Sequence, residues 1–73
     1  VNMTPKEYEL LFYLAKNKGI AISREQLLSN VWGYDFYGDD RTVDTHVKML
    51  RSSLGKYRDK IVTLRGLGYK IEL

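Results

Sequence analysis

The 73 residues contain no cysteine, one proline and one histidine. Without cysteine there is no disulfide to staple the fold and no thiolate to hold zinc. A lone histidine, His46, does not make a metal site. No apolar run approaches the ~20 residues needed to span a bilayer. A signal peptide is not expected either, because Lys6, Glu7 and Glu9 interrupt the start. The lack of cysteine suits a reducing cytosol, and the start at Val1 reads like a domain excised from a longer protein. Enzyme signatures are missing too: there is no glycine-rich phosphate loop, no G-x-S-x-G and no pair of histidines on a helix. Neither a catalytic role nor a cofactor is therefore expected.

What remains is one small domain over residues 1–73, held by apolar packing, with 44% hydrophobic residues to supply it. The net charge of +3 is unevenly spread. Residues 1–40 carry four basic and six acidic side chains, and residues 41–73 carry eight and three. A basic half beside an acidic one fits a polyanion-binding face, and it also fits an ordinary solvated surface.

Helix boundaries are well marked. Thr4-Pro5-Lys6-Glu7 reads as a capping box with proline at the first helical position, and Met3 and Tyr8 as its hydrophobic staple. Tyr8, Leu11, Phe12 and Ala15 follow helical spacing, widened by Leu10 and Leu14, and Gly19 is the expected cap. Ile20-Ala21-Ile22 reads as a brief strand. Ser23-Arg24-Glu25-Gln26 is a second capping box, stapled by Ile22 and Leu27. A short helix follows, with Leu27, Leu28, Val31 and Trp32 on its buried face and Gly33 closing it. Residues 33–40 form a loop whose three rings either fold onto the core or dock a partner. Asp39 or Asp40 caps a third helix, from about Arg41 to Leu54, with Val43, Val47, Leu50 and Leu54 as one buried stripe. Gly55 stops it.

After a basic connection, Lys56 to Lys60, two β-rich runs flank Arg65-Gly66-Leu67-Gly68 and predict a hairpin. The second run alternates, with Tyr69, Ile71 and Leu73 on one face. The first is apolar throughout, so pattern does not settle its buried side. The order is helix, strand, helix, helix, hairpin.

The third helix carries the functional signal. Outside its stripe lie Arg41, Thr42, Asp44, Thr45, His46, Lys48, Met49, Arg51 and Ser52. These hydrogen-bonding groups sit on a rod about 20 Å long, which fits the major groove of duplex DNA. A solvated helix face would look similar in isolation. The helix pair before it and the basic hairpin after it favour the groove. Arg65, between a strand and two glycines, has the freedom to reach phosphate or a narrow minor groove. Trp32 serves as core, or offers its indole N–H to phosphate.

Asp40-Arg41-Thr42-Val43-Asp44-Thr45-His46-Val47-Lys48-Met49-Leu50-Arg51 resembles the recognition-helix signature of OmpR/PhoB-type response regulators. Leu64-Arg65-Gly66-Leu67-Gly68-Tyr69 resembles their wing, and Thr4 to Leu11, Ser23 to Leu27 and Val31-Trp32-Gly33 resemble their first two helices. The resemblance implies an α+β winged helix-turn-helix fold, three helices with a C-terminal β-hairpin wing. It further implies a cytoplasmic, bacterial two-component system in which this domain follows a phosphorylatable receiver domain of the same protein. A second copy then binds head-to-tail on direct-repeat half-sites of double-stranded DNA, and the loop Tyr34, Asp35, Phe36, Tyr37, Gly38, Asp39, Asp40 touches RNA polymerase. Carried over by position, Thr45, Lys48 and Met49 face base edges. Trp32, Arg41, Thr42, His46, Arg51, Thr63 and Tyr69 lie at the phosphate backbone, and Arg65 enters the minor groove. No membrane is implied. Two departures stand out. Family members often have arginine where this chain has Met49, which shifts readout toward thymine methyls. The resemblance also implies an antiparallel sheet at the start of the domain, and here only Val1-Asn2-Met3 could belong to its last strand.

Overall fold

The computed structural model describes residues 3–34 and 38–73. Its elements are α1 (Pro5–Lys16), α2 (Arg24–Leu27) running on into a π-helical turn (Leu28–Trp32), α3 (Asp40–Leu54), a 3-10 segment (Gly55–Lys60), β1 (Ile61–Leu64) and β2 (Gly68–Ile71).

Thr4 caps α1, its hydroxyl accepting from the Glu7 N–H at 3.2 Å, and Pro5 takes the first turn as expected. The return half of the capping box is different. Glu7 is buried, and its Oε2 accepts a hydrogen bond from Ser53 Oγ at 2.9 Å. The C-terminal end of α3 packs on the start of α1 and supplies the donor that Glu7 takes. The buried face of α1 is accordingly Glu7, Leu10 and Leu14. Tyr8 and Phe12 are 43% and 65% exposed and stack on each other outside, with ring centroids 6.1 Å apart. Both stripes have helical spacing, and periodicity alone ranks neither first. The helix also ends earlier than its glycine: Asn17 is the cap, and Gly19 (φ 78°) sits in the following turn, donating to the Ile71 carbonyl.

The second capping box forms in full. Ser23 Oγ accepts from the Gln26 N–H and Gln26 Oε1 accepts from the Ser23 N–H, both at 3.0 Å. Ile22 and Leu27 beside it are buried. The expected strand at Ile20–Ile22 shrinks to one bridge, Ile22 with Tyr69, and Ile20 is exposed. Of the expected α2 face, Leu27 and Val31 are buried, while Leu28 and Trp32 pack half-buried at its edge. The helix end widens because the Gly33 N–H reaches back to the Leu28 carbonyl at 2.9 Å.

Asp39 is the residue that caps α3, accepting from the Arg41 N–H at 2.9 Å. Val43, Val47 and Leu50 are buried, with Leu54 half-buried below them. β1 and β2 pair antiparallel in the register Ile61↔Ile71, Thr63↔Tyr69, Leu64↔Gly68. That register settles the side of β1: Ile61 and Thr63 share the face of Ile71 and Tyr69, with Ile61 buried and Thr63, nearer the tip, exposed. β2 is shorter than its alternation suggested. It ends at Ile71, and Leu73, expected inside, is 73% exposed.

One core joins these pieces. Leu10 and Leu14 of α1, Leu27 and Val31, the α3 stripe, Ile61, Tyr69 and Ile71 form a single cluster. With its inner side thus occupied, α3 presents its hydrophilic side outward next to the hairpin. Among the described residues, no helix is long and apolar enough to cross a membrane.

Candidate nucleic-acid interface

Five residues of the outer α3 face are exposed: Arg41, Thr45, Lys48, Met49 and Ser52. Thr42, Asp44, His46 and Arg51 flank them, half-buried. Burial of Val43, Val47 and Leu50 fixes this orientation, because rotating the helix would bring three apolar side chains into water. Met49 is 39% exposed and supplies the one large apolar surface on the face.

The hairpin stands beside this helix. Its turn closes through Leu67 N–H to the Leu64 carbonyl at 2.8 Å, with Gly66 at φ 77°, a backbone state that favours glycine. Arg65, Gly66 and Leu67 at the tip are exposed. A cleft of about 450 Å³ separates the tip from the starts of α2 and α3, lined in part by Arg24, Asp40, Asp44 and Arg65.

A second group of predicted site residues meets at the end of α2. Trp32, half-buried, takes the His46 ring edge-on at 5.0 Å. The Lys6 ammonium lies 5.6 Å from the Trp32 ring centroid and donates to the Val31 carbonyl at 3.1 Å. His46 Nδ1 is 2.8 Å from the Thr42 carbonyl oxygen. With its proton on Nδ1, the ring keeps Nε2 for an outside partner.

The remaining three predicted residues are engaged within the protein. Arg51 donates from Nε and Nη2 to the Ile61 carbonyl (3.2 and 2.7 Å) and from Nη2 to Thr63 Oγ1 at 2.8 Å. Tyr69 is buried, and its hydroxyl donates to Asp44 Oδ1 at 2.6 Å. Desolvation, and then that hydrogen bond, push the phenol up to about 12. Asp44 Oδ2 in turn accepts from Arg24 Nη1 at 3.1 Å. Sequence reasoning missed this network. Its partners lie 10 to 25 residues apart, and its only local trace is the seven-residue step from Asp44 to Arg51, which places both on one side of α3.

In the loop before α3, Tyr34 is 86% exposed, so one of the three rings points to solvent. Gly38, Asp39 and Asp40 are exposed as well. Asp35, Phe36 and Tyr37 lie outside the described residues.

The geometry has close counterparts. The family model described as transcriptional regulatory protein, C terminal, matches residues 1–71. The transcriptional regulatory protein SrrA of Staphylococcus aureus is 57% identical over 77 residues, covering 100% of this chain and 32% of SrrA. The chain thus spans about a third of the length of that curated relative. Among solved structures, the DNA-binding domain of Bacillus subtilis CssR superposes with a TM-score of 0.88 at 41% identity, over 97% of this chain and 78% of that one. The Klebsiella pneumoniae RstA DNA-binding domain, solved in complex with the RstA box, superposes with a TM-score of 0.85 at 31% identity, over 99% and 74%. Sequence and fold agree from the first helix through the hairpin, and the chain belongs to this transcriptional-regulator family as the C-terminal winged-helix DNA-binding domain of an OmpR/PhoB-type regulator.

Proposed function

We propose that this domain reads duplex DNA sequence-specifically with the outer face of α3 in the major groove and Arg65 in the adjacent minor groove. The observation that carries the reading is the exposure of Thr45, Lys48 and Met49 on a helix whose apolar side is wholly occupied, beside an exposed Arg65. Thr45 donates to or accepts from a base edge, Lys48 donates to guanine acceptors, and Met49 packs on a thymine methyl. Arg41, Thr42, His46 and Trp32 border this face and serve the phosphate backbone, which sets register without reading sequence. Arg51, Thr63 and Tyr69 border it too, but their polar atoms already bind one another's elements, so they contribute chiefly by holding the hairpin.

The parent protein is a two-component response regulator whose receiver domain lies outside these residues. Two copies bind head-to-tail on direct-repeat half-sites, and the loop from Tyr34 to Asp40 meets RNA polymerase. The similarity to SrrA and the exposed Tyr34 support this wider reading.

Selection of bound duplexes from a random pool tests the specific part, with half-site spacing read from the winners. A repeated motif is the expected result, and recovery of the unselected pool contradicts specific readout. Salt titration tests the electrostatic part. Lys48→Ala should lower the log–log slope by about 0.9 while Thr45→Ala leaves it unchanged and alters base preference. An unchanged slope in Lys48→Ala removes Lys48 from the interface.

A further inference from the structure

Asp44 and Arg51 each bind a different strand of the hairpin from one side of α3. Asp44 takes the hydroxyl of Tyr69 on β2. Arg51 takes the Ile61 carbonyl and Thr63 hydroxyl on β1. Between them lies the Tyr69 ring, with the Arg51 guanidinium 5.9 Å from its centroid. Arg24 closes the outer side of Asp44, so both carboxylate oxygens are occupied and the acid is neutralised next to the DNA-facing surface. Arg24, Asp44, Tyr69 and Arg51 thus run positive, negative, neutral, positive across three elements.

Apolar packing of Ile61, Ile71 and the Tyr69 ring, with the bridge from Tyr69 to Ile22, holds the inner side of the hairpin but does not reach the Thr63 side chain or the tip. The polar contacts of Thr63 and the Tyr69 hydroxyl belong to a pair two register steps nearer Arg65 than Ile61 and Ile71. We propose that Asp44 and Arg51 are positioning residues, a clamp that ties both wing strands to the recognition helix and so sets where Arg65 meets the duplex. Base selectivity under the wing depends on this clamp, although none of its members touches a base. The inference rests on the DNA-reading function proposed above.

The test compares the wild-type protein with Tyr69→Phe, Asp44→Asn, Arg51→Gln and Lys48→Ala on the duplex that the wild type selects. Base pairs whose preference is erased by Arg65→Ala define the wing's positions. The clamp predicts three things of the first three variants. Affinity falls about 3- to 10-fold, as for loss of a hydrogen bond. Base preference flattens at the wing's positions and persists under α3. The salt slope stays within about 0.3 of wild type, because no phosphate contact is lost. Tyr69→Phe with Asp44→Asn should lose less than the sum of the two single losses, since the two share one bond while Asp44 also binds Arg24. Tyr69→Phe keeps the ring and so keeps the core, which leaves the test decisive even where Arg51→Gln unfolds. A slope lowered by about 0.9 in Arg51→Gln would put its guanidinium on phosphate and overturn the clamp. Unchanged wing preference in Tyr69→Phe and Asp44→Asn overturns it as well. Wild-type protein that binds all duplexes alike removes the DNA-reading function itself, and the clamp with it.

Discussion

Gly68→Ala is the substitution that most sharply separates backbone contact from backbone conformation in this fold. Gly68 opens β2 at φ 131°, and a Cβ built there falls 2.0 Å from the Ile22 carbonyl oxygen and 2.8 Å from Ser23 Cα. Both neighbours are backbone, so no rotamer change relieves the clash. Relief requires β2 to part from Ile22, which breaks the pair of bonds Ile22 N–H to Tyr69 carbonyl (2.8 Å) and Tyr69 N–H to Ile22 carbonyl (2.9 Å). Two such bonds contribute about 1–3 kcal/mol together. The strained φ adds about 1–3 kcal/mol. A loss of about 2–6 kcal/mol stands against a total of about 4–11 kcal/mol for a domain of this length. Gly66→Ala is the control. Its φ of 77° is also unfavourable, but no atom lies within 4 Å of the added Cβ. It should cost about 1–2 kcal/mol from conformation alone. Urea denaturation of both variants measures the difference, and each kcal/mol moves the melting temperature by about 4–8 °C. Gly68→Ala should be worse by about 1–3 kcal/mol, with faster hydrogen exchange at the Ile22 and Tyr69 amides. Equal losses in the two variants would refute the docking of β2 on Ile22.

Two further perturbations bear on stability. Ser23→Ala removes the side-chain half of a reciprocal cap and should cost about 1 kcal/mol in denaturant melts; a change near zero would mean that this half contributes nothing. Alkaline titration probes Tyr69, whose folded pKa of about 12 exceeds its ordinary 10.0. The folded state keeps a proton that the unfolded chain releases. The contribution of Tyr69 is therefore whole below pH 10 and is lost as pH rises from 10 toward 12. Wild type should lose stability across that window faster than Tyr69→Phe, and parallel curves would contradict the buried hydroxyl.

Local chemistry made much of this fold legible in the sequence. Ser23 and Gln26 three residues apart satisfy each other's backbone donors whatever surrounds them, and that helix start appears as read. Val43, Val47 and Leu50 form the one apolar stripe on an otherwise hydrophilic helix, so the buried side of α3 had no competitor. In α1 two apolar stripes compete, and the choice falls to Leu10 and Leu14 because α3 and β2 pack there. Glu7 illustrates the same limit. Its inward turn toward Ser53 depends on a residue 46 positions away, which no local pattern encodes. The candidate site divides likewise. Exposure of Thr45, Lys48 and Met49 follows from helical period, whereas the engagement of Arg51 with Thr63 and of Tyr69 with Asp44 follows only from tertiary packing.

Titration of the isotopically labelled protein with its selected duplex, followed by amide NMR shifts, tests the central claim most directly. Perturbations should concentrate at Arg41, Thr45, Lys48 and Met49 and at Arg65 and Gly66, with little change at Tyr8 and Phe12 on the opposite stripe of α1. Shifts centred on Tyr8 and Phe12, with α3 and the wing tip silent, would contradict a DNA-reading role for α3.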